Sequence, residues 1–270
     1  ETELSDVRGD LGELVYCGYN INDLAENACF EEVIHLLHHK HLPATDELAA
    51  LKQDLASRRE IPQGVIDLIR TMPAEAAPMH VLRTAVSALG CYDASPETGE
   101  DIALARDKSL SLIAQIPVLI AIFHRHRQGK ELLASDSSLG EAANFLWLIN
   151  GEKPSADMER TIDICYILHA DHGFNASTFS SRVTIATLSD VYSAITSAIG
   201  TLKGPLHGGA NEGVIKMLHE IGDLDKVDAY VEDCLTHKRK IMGIGHRVYT
   251  TLDPRAPHLK RMAQKLTKEL

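Results

Sequence analysis

Apolar positions along the chain recur mostly at three- and four-residue spacing. Phe30, Val33, Ile34 and Leu37 follow i, i+3, i+4, i+7, and Leu139, Ala142, Ala143 and Leu146 repeat the pattern, which marks helices with one buried stripe. Leu48, Leu51 and Leu55 continue it after Thr45, which reads as an N-cap with Asp46 and Glu47 in the first turn, where a helix dipole favours acids. A longer helix carries Leu112, Ile113, Ile116, Leu119 and Phe123 on one face, and Pro117 is expected to kink it. Met158, Ile162, Cys165 and His169 form a further face ending near Gly173, and Ser189 opens a stripe of Val191, Ala194, Ile195, Ala198 and Leu202. The stretch from Arg182 to Gly200 is rich in Ala, Ser and Thr and reads as buried core with closely packed helices. Strand signals are confined to short pieces such as "ELVYCGY". The pattern predicts an all-α protein. From about Gly204 the density of Gly, His and Lys/Arg rises, which predicts a boundary between a large helical domain, residues 1–206, and a smaller site-bearing helical domain, residues 207–270.

Composition narrows the class. A chain of 270 residues, 44% hydrophobic and 24% charged, can build one large domain or a large and a small one. The formal net charge of −11 comes from 27 Lys+Arg against 38 Asp+Glu. No global basic field is available for nucleic acid or an anionic membrane, so any anionic ligand must meet a local cluster. Cys17, Cys29, Cys91, Cys165 and Cys234 are scattered, odd in number and form no C-x-x-C pair. That argues against a disulfide framework or structural zinc and for a reducing, cytoplasmic setting. The start at Glu1 suggests a trimmed amino terminus. The longest apolar stretch, "LIAQIPVLIAIF", carries Gln115 and Pro117 and falls short of the roughly 20 residues a membrane span needs. In "HLLHHKH", His35, His38 and His39 have helical i, i+3, i+4 spacing. Without a neighbouring acid or cysteine they read as an exposed helix face, and no metal is expected.

Three stretches could carry chemistry. "LHADHGFNASTFSSR" (168–182) reads as a helix–loop–helix corner with His169 toward the core, Asn175, Ser177 and Thr178 as capable caps, and His172 at the corner itself. A corner can aim a side chain into a cleft. "GPLHGGANEGVIKML" (204–218) sets His207 before two glycines and a helix with Asn211 and Glu212 in its first turn. It is either a plain loop-to-helix junction or a site. In the second case the helix start disfavours an imidazolium, and a neutral ring can donate to a carbonyl and stabilise a forming enolate. "HKRKIMGIGHRVYTTLDPRAPHLK" (237–260) carries the basic run Lys238, Arg239, Lys240, then Gly243, Gly245, His246, Arg247 and Asp253-Pro254-Arg255. A solvated basic face and a lone Gly-x-Gly are the plain readings, and Val248 stands where a dinucleotide fingerprint needs glycine. Taken together, the residues suit a phosphate-bearing ligand beside a carboxylate.

These three stretches, with "GDLGELVYCGYNINDLA" and "APMHVLRTAVSALG" nearer the amino terminus, resemble the signature regions of the citrate synthase family along essentially the whole chain. The resemblance implies an all-α enzyme with its active-site cleft between a large and a small helical domain, forming a homodimer or higher oligomer. It implies condensation of acetyl-CoA with oxaloacetate and thioester hydrolysis to citrate and CoA, with the CoA thioester as substrate and no metal or other cofactor. By motif, His207 matches the histidine on the thioester oxygen and His246 the one that polarises the oxaloacetate ketone. His172 and Arg255 match oxaloacetate-binding positions, and Lys240, Ile241, Met242, Gly243 and Ile244 match the backbone segment that holds CoA. The same motifs serve 2-methylcitrate synthases, which use propionyl-CoA, and an assembly or binding protein on this fold is the rival from another class. The family's proton-abstracting aspartate, in a "P-N-x-D"-like stretch, and two further oxaloacetate-binding arginines have no match before Leu270. The small domain is therefore expected to be incomplete and the 270-residue form inactive. Cys17 stands where the family more often has arginine. The cleft is expected to close on oxaloacetate before CoA enters.

Overall fold

The computed structural model describes residues 2–95, 100–246 and 248–267. Three short strands open the chain: β1 (Ser5–Arg8), β2 (Glu13–Tyr16) and β3 (Tyr19–Asn20) form an antiparallel sheet in that order. Cys17 and Gly18 both have positive φ, 46° and 92°, as a two-residue turn between Tyr16 and Tyr19 requires. Among the described residues helices make up the rest: α1 (Ile21–Asn27), α2 (Phe30–His39), α3 (Thr45–Ser57), α4 (Gln63–Thr71), α5 (Pro78–Leu89), α6 (Ile102–Arg127), α7 (Glu141–Asn150), α8 (Ala156–His169), α9 (Ala176–Ile185), α10 (Val191–Leu202), α11 (Gly209–Ile221), α12 (Val227–Thr236) and α13 (Ala256–Leu266). This is the expected all-α architecture.

Two main apolar clusters hold the body together. One joins α4, α5, α6, α7 and α10 through Val65, Ile69, Val86, Leu119, Phe123, Leu148 and Ile199. The other gathers Leu14, Tyr16, Ile21, Leu24, Val33, Leu36, Ile164, Ile167 and Leu168 from β2, α1, α2 and α8, with Leu259 and Met262 of α13 packed against it. α6 is long and apolar enough to cross a membrane by length and composition, yet Leu112, Leu119 and Phe123 are buried in the first cluster. It runs as one 26-residue helix through Pro117.

Several expectations shift by a turn or a face. Thr45 is the first residue of α3, not its cap; Glu47 closes the start by accepting the Ala44 N–H at 2.8 Å. Leu139 precedes α7, and Asp190 rather than Ser189 caps α10, accepting from the Ser193 N–H at 2.8 Å. On α8 the buried residues are Asp163, Ile164, Ile167 and Leu168, while Met158, Ile162 and Cys165 are half-buried and His169 is exposed. The pattern misleads here because Asp163, an acid that periodicity assigns to solvent, accepts the Phe30 N–H at 2.7 Å and pairs with Arg160. The segment 182–200 is core only along one side of α10, where Ile199 joins the first cluster with Val191, Tyr192 and Ile195 packed against it. Within α10 only Ala194 and Ile199 are fully buried, and Phe179 and Val183 of α9 are 66% and 53% exposed.

The N-terminal hairpin positions the region of the site. A Cβ on Gly9 would collide with the Val248 carbonyl, and one on Gly12 (φ 68°) would lie 2.9 Å from the Leu252 carbonyl. Thr250 N–H donates to the Gly9 carbonyl at 3.0 Å. The glycines of "RGDLG" let the 248–252 backbone lie directly on the β1–β2 turn.

Candidate active site

His172 sits just past α8, where several contacts fix the corner. The Tyr16 hydroxyl, fully buried, donates to the Asp171 carbonyl at 2.9 Å and accepts its N–H at 3.2 Å. The Asp171 carboxylate accepts the Gly173 N–H at 2.7 Å and the Ser5 hydroxyl. Gly173 takes φ 62°, and Asn175 then caps α9 through Ser177 N and Thr178 N. His172 Nε2 is thereby held 3.1 Å from the Tyr249 hydroxyl. Burial first, then the Arg255 cation, pushes the His172 imidazole down to about 4, so the ring is neutral at neutral pH. Tyr249 is 4% exposed, and burial followed by the Asp253 charge pushes its phenol up to about 12.

His246 stands against this pair, its ring centroid 5.9 Å from His172 and 4.9 Å from Tyr249. Its Nδ1 accepts two backbone N–H groups, from Val248 and Tyr249, each at 3.0 Å. An atom that accepts carries no proton, so the proton of the neutral ring sits on Nε2. Two amide donors at Nδ1 also draw density from the ring, which strengthens Nε2–H as a donor. Asp253 Oδ2 lies 4.0 Å from Nε2.

Arg255 is half-enclosed and held by Asp253: Nε donates to Oδ1 at 3.0 Å and Nη2 to Oδ2 at 2.8 Å. Burial alone would raise the Asp253 carboxyl, but hydrogen bonds from the Arg255 side chain and amide outweigh it and keep the carboxyl below its ordinary value. The bidentate clamp fixes the plane of the guanidinium while Nη1 is left to meet another carboxylate.

His207 approaches from the start of α11. Its Nε2 lies 2.8 Å from Ser177 Oγ, which is also 3.1 Å from the Ala198 carbonyl. A hydroxyl has one proton, so Ser177 can give it to the ring or to the carbonyl, and that choice sets the His207 tautomer. The segment after α12 turns sharply. Ile244 N–H reaches the Ile241 carbonyl at 3.4 Å, with Gly243 and Gly245 at φ 83° and 92°. Lys240 and Gly243 to Gly245 are exposed. Of the basic run, Arg239 is taken up by Asp233 and the Tyr230 ring, and Lys240 directly precedes the turn.

One cleft of about 810 Å³ has His207, Asn211, Lys240 to Gly245, His246 and Arg255 in its walls. His172 lines an adjoining cavity of about 570 Å³ against the β1 strand, and His246 borders both. His172, His207, His246, Arg255 and the segment Lys240 to Ile244 are therefore at the cleft or next to it, and Arg247 lies outside the described residues. Sequence reading missed Tyr249, Ser177 and the clamping role of Asp253. Tyr249 and Ser177 act through contacts distant in sequence, to His172 and His207, whereas Asp253 clamps Arg255 two residues away; the cues were position, Tyr249 following His246 by three residues and Ser177 reading as a helix-capping serine.

The family model described as "Citrate synthase, C-terminal domain" matches residues 1–270. "Citrate synthase 2" of Bacillus subtilis is 51% identical over 255 residues, covering 94% of this chain and 68% of the relative. "2-methylcitrate synthase 1" of Corynebacterium glutamicum is 43% identical over 270 residues, covering 98% and 70%. The structure of citrate synthase from Thermoplasma acidophilum, solved as a ternary complex with carboxymethyl coenzyme A and oxaloacetate, superposes with a TM-score of 0.94 at 34% identity, over 100% of this chain and 71% of that one. Whole-length similarity in sequence and backbone, with the histidines and arginine of the matched motifs gathered at one cleft, leads to one conclusion: the chain belongs to the citrate synthase family.

Proposed function

We propose that the cleft joins an acyl-CoA, acetyl-CoA first, to oxaloacetate. The observation that carries this reading is the shared lining of one cleft by His207, His246, Arg255 and the glycine turn after Lys240. Arg255 binds one carboxylate of the keto-diacid, with His172 as a neutral partner beside it. His246 donates Nε2–H to the ketone oxygen. The turn 240–244 offers amides and one ammonium to the CoA chain. Ser177 gives its proton to His207 Nε2, which leaves Nδ1–H to face the thioester oxygen. As a base removes a methyl proton, negative charge grows on that oxygen and His207 stabilises it. The new carbon–carbon bond forms at the ketone carbon, and the resulting alkoxide takes the His246 proton. Water then cleaves the thioester. Loss of one such preorganised donor costs about 100- to 1,000-fold in rate. The chemistry consists of proton transfers and additions and calls for no cofactor beyond the CoA thioester itself.

In this reading residues 1–206 form the large domain and 207–270 the small one, and closing the cleft between them on oxaloacetate excludes water until condensation is done. The setting is cytoplasmic, in keeping with five free cysteines, and a second copy of the chain is the partner. In this reading the 270 residues bind the keto-diacid, and none of the residues assigned here serves as the base that removes the methyl proton. The 2-methylcitrate alternative differs by one methylene, worth about 1–3 kcal/mol in an apolar pocket.

Calorimetric titration of oxaloacetate into the 270-residue protein tests the reading. His246→Ala and Arg255→Lys should each weaken binding at least about tenfold, the scale of a lost charge-assisted hydrogen bond. Unchanged binding in both variants would overturn it. Adding acetyl-CoA and propionyl-CoA in parallel to a polypeptide that extends past Leu270 reads out acyl choice.

A further inference from the structure

The corner between α2 and α3 gathers ligating side chains that play no part in the cleft. His35 on α2, His41 in the connection and Glu47 in the first turn of α3 each offer one ligand atom, all within 4.8 Å of one another. The rings of His35 and His41 are 5.0 Å apart, and His39 lies 4.4 Å from His35. The expected trio of His35, His38 and His39 on one helix face lacked an acid. The fold supplies one by turning through Lys40, in the left-handed region at φ 67°, and bringing α3 back beside α2. His35 is also buried, 7% exposed, rather than on a solvated face.

We propose that His35, His41 and Glu47 form a binding site for a divalent d-block cation, zinc foremost, that staples the α2–α3 corner. The tautomers are already set for it. His35 Nδ1 lies 3.0 Å from the His41 carbonyl, and His41 Nδ1 lies 3.0 Å from the Leu42 carbonyl. A carbonyl only accepts, so both Nδ1 atoms carry protons and both Nε2 atoms keep a lone pair. Donation of the second ring N–H to a backbone carbonyl is the outer contact that metal-bound histidines use. Glu47 Oε2 is engaged by the Ala44 N–H at 2.8 Å, which orients the carboxylate and leaves Oε1 for the cation. Zinc–nitrogen bonds of about 2.0–2.1 Å place tetrahedral ligand atoms about 3.3 Å apart. His41 and Glu47 are exposed and can close that gap by side-chain rotation. Two nitrogens and a carboxylate leave a fourth position for water or for His39, whose ring lies 4.4 Å from that of His35. Imidazole donors suit zinc, copper and nickel over magnesium or calcium.

The test is titration of zinc into the 270-residue protein, with His41→Ala and Glu47→Gln as variants. Both positions are exposed, and Gln retains a carbonyl oxygen for the Ala44 N–H, so folding is preserved. One equivalent of zinc should bind with a rise in melting temperature, and each variant should lose affinity by at least about tenfold, the range seen when ligation shells are disturbed, and lose the rise. Because the histidines of the cleft are untouched in both variants, zinc taken up there would bind all three proteins equally. That result, or no uptake by the unmodified protein, would overturn the proposal.

Discussion

The neutrality of His172 is a property of its surroundings and has a measurable cost. Its value of about 4 lies below the ordinary 6.5. Between those values the unfolded chain binds a proton that the folded protein refuses, so stability contributed at this site is present above 6.5 and lost as pH falls toward 4. Chemical denaturation at neutral pH and near pH 4 should show a larger loss for the unmodified protein than for His172→Asn. An equal loss would mean that the ring is already solvated. His207 poses a different question at the same scale, namely where one proton sits. With Ser177 Oγ 2.8 Å from Nε2, a ring that is to donate from Nδ1 must accept from the serine. Nitrogen NMR of labelled histidine should find the His207 proton on Nδ1, and Ser177→Ala should populate both tautomers. A proton fixed on Nε2 in the unmodified protein would mean that Ser177 donates to the Ala198 carbonyl instead, and the proposed role of Nδ1 would fail.

At the scale of elements, the hairpin and the 248–252 segment behave as one piece. Gly9→Ala drives a methyl group into the Val248 carbonyl, and a shift of the Val248 backbone in response moves the Val248 and Tyr249 amides that hold His246 Nδ1. The expected cost is about 1–3 kcal/mol of stability, as for other overpacked contacts, together with weaker oxaloacetate binding. Thermal melting and titration on one sample check both, and a loss of stability with binding intact would uncouple hairpin from site. The same interplay explains what was legible in the sequence. Helices with clean stripes, such as α2 with Val33 and Ile34 buried, follow from spacing alone, and the motif histidines and Arg255 were visible as residue types in unusual company. The α8 face was misread because Asp163 is held inside by the amide of Phe30, 133 residues away. Tyr249 escaped notice for the same reason: a hydrogen bond across 77 residues, between Tyr249 and His172, leaves no mark on local periodicity, whereas the Asp253–Arg255 clamp is a two-residue contact. The stretch 182–200 failed differently. Small residues permit close packing, but they do not say whether the neighbour belongs to the same chain.

On the scale of the whole molecule, that last ambiguity becomes an argument for assembly. α9 and α10 pack tightly against each other, with the Thr201 hydroxyl donating to Ser180 Oγ at 2.8 Å, and α10 is buried on its other side against α5 and α6. Phe179 and Val183 of α9, Leu188 in the connection and Leu202 at the end of α10 are nevertheless exposed. A run of large apolar side chains on paired helices is the kind of patch that oligomers cover, and a two-fold pairing of the same patch is the commonest way to do so. The placement also matters for the site, because α9 bears Ser177 and α10 leads into the turn that presents His207. A second copy packed on these helices would stiffen the shelf on which His207 rests. Phe179 and Val183 stand four residues apart on one face of α9, so the double change Phe179→Asp with Val183→Asp puts two charges into such an interface without touching either core cluster. Sedimentation equilibrium should show a dimer for the unmodified chain and a shift of at least about a hundredfold toward monomer for the variant, the equivalent of about 2.7 kcal/mol, with far-UV circular dichroism unchanged. A monomeric unmodified chain at micromolar concentration, or a variant that remains dimeric, would leave this surface without a role in assembly.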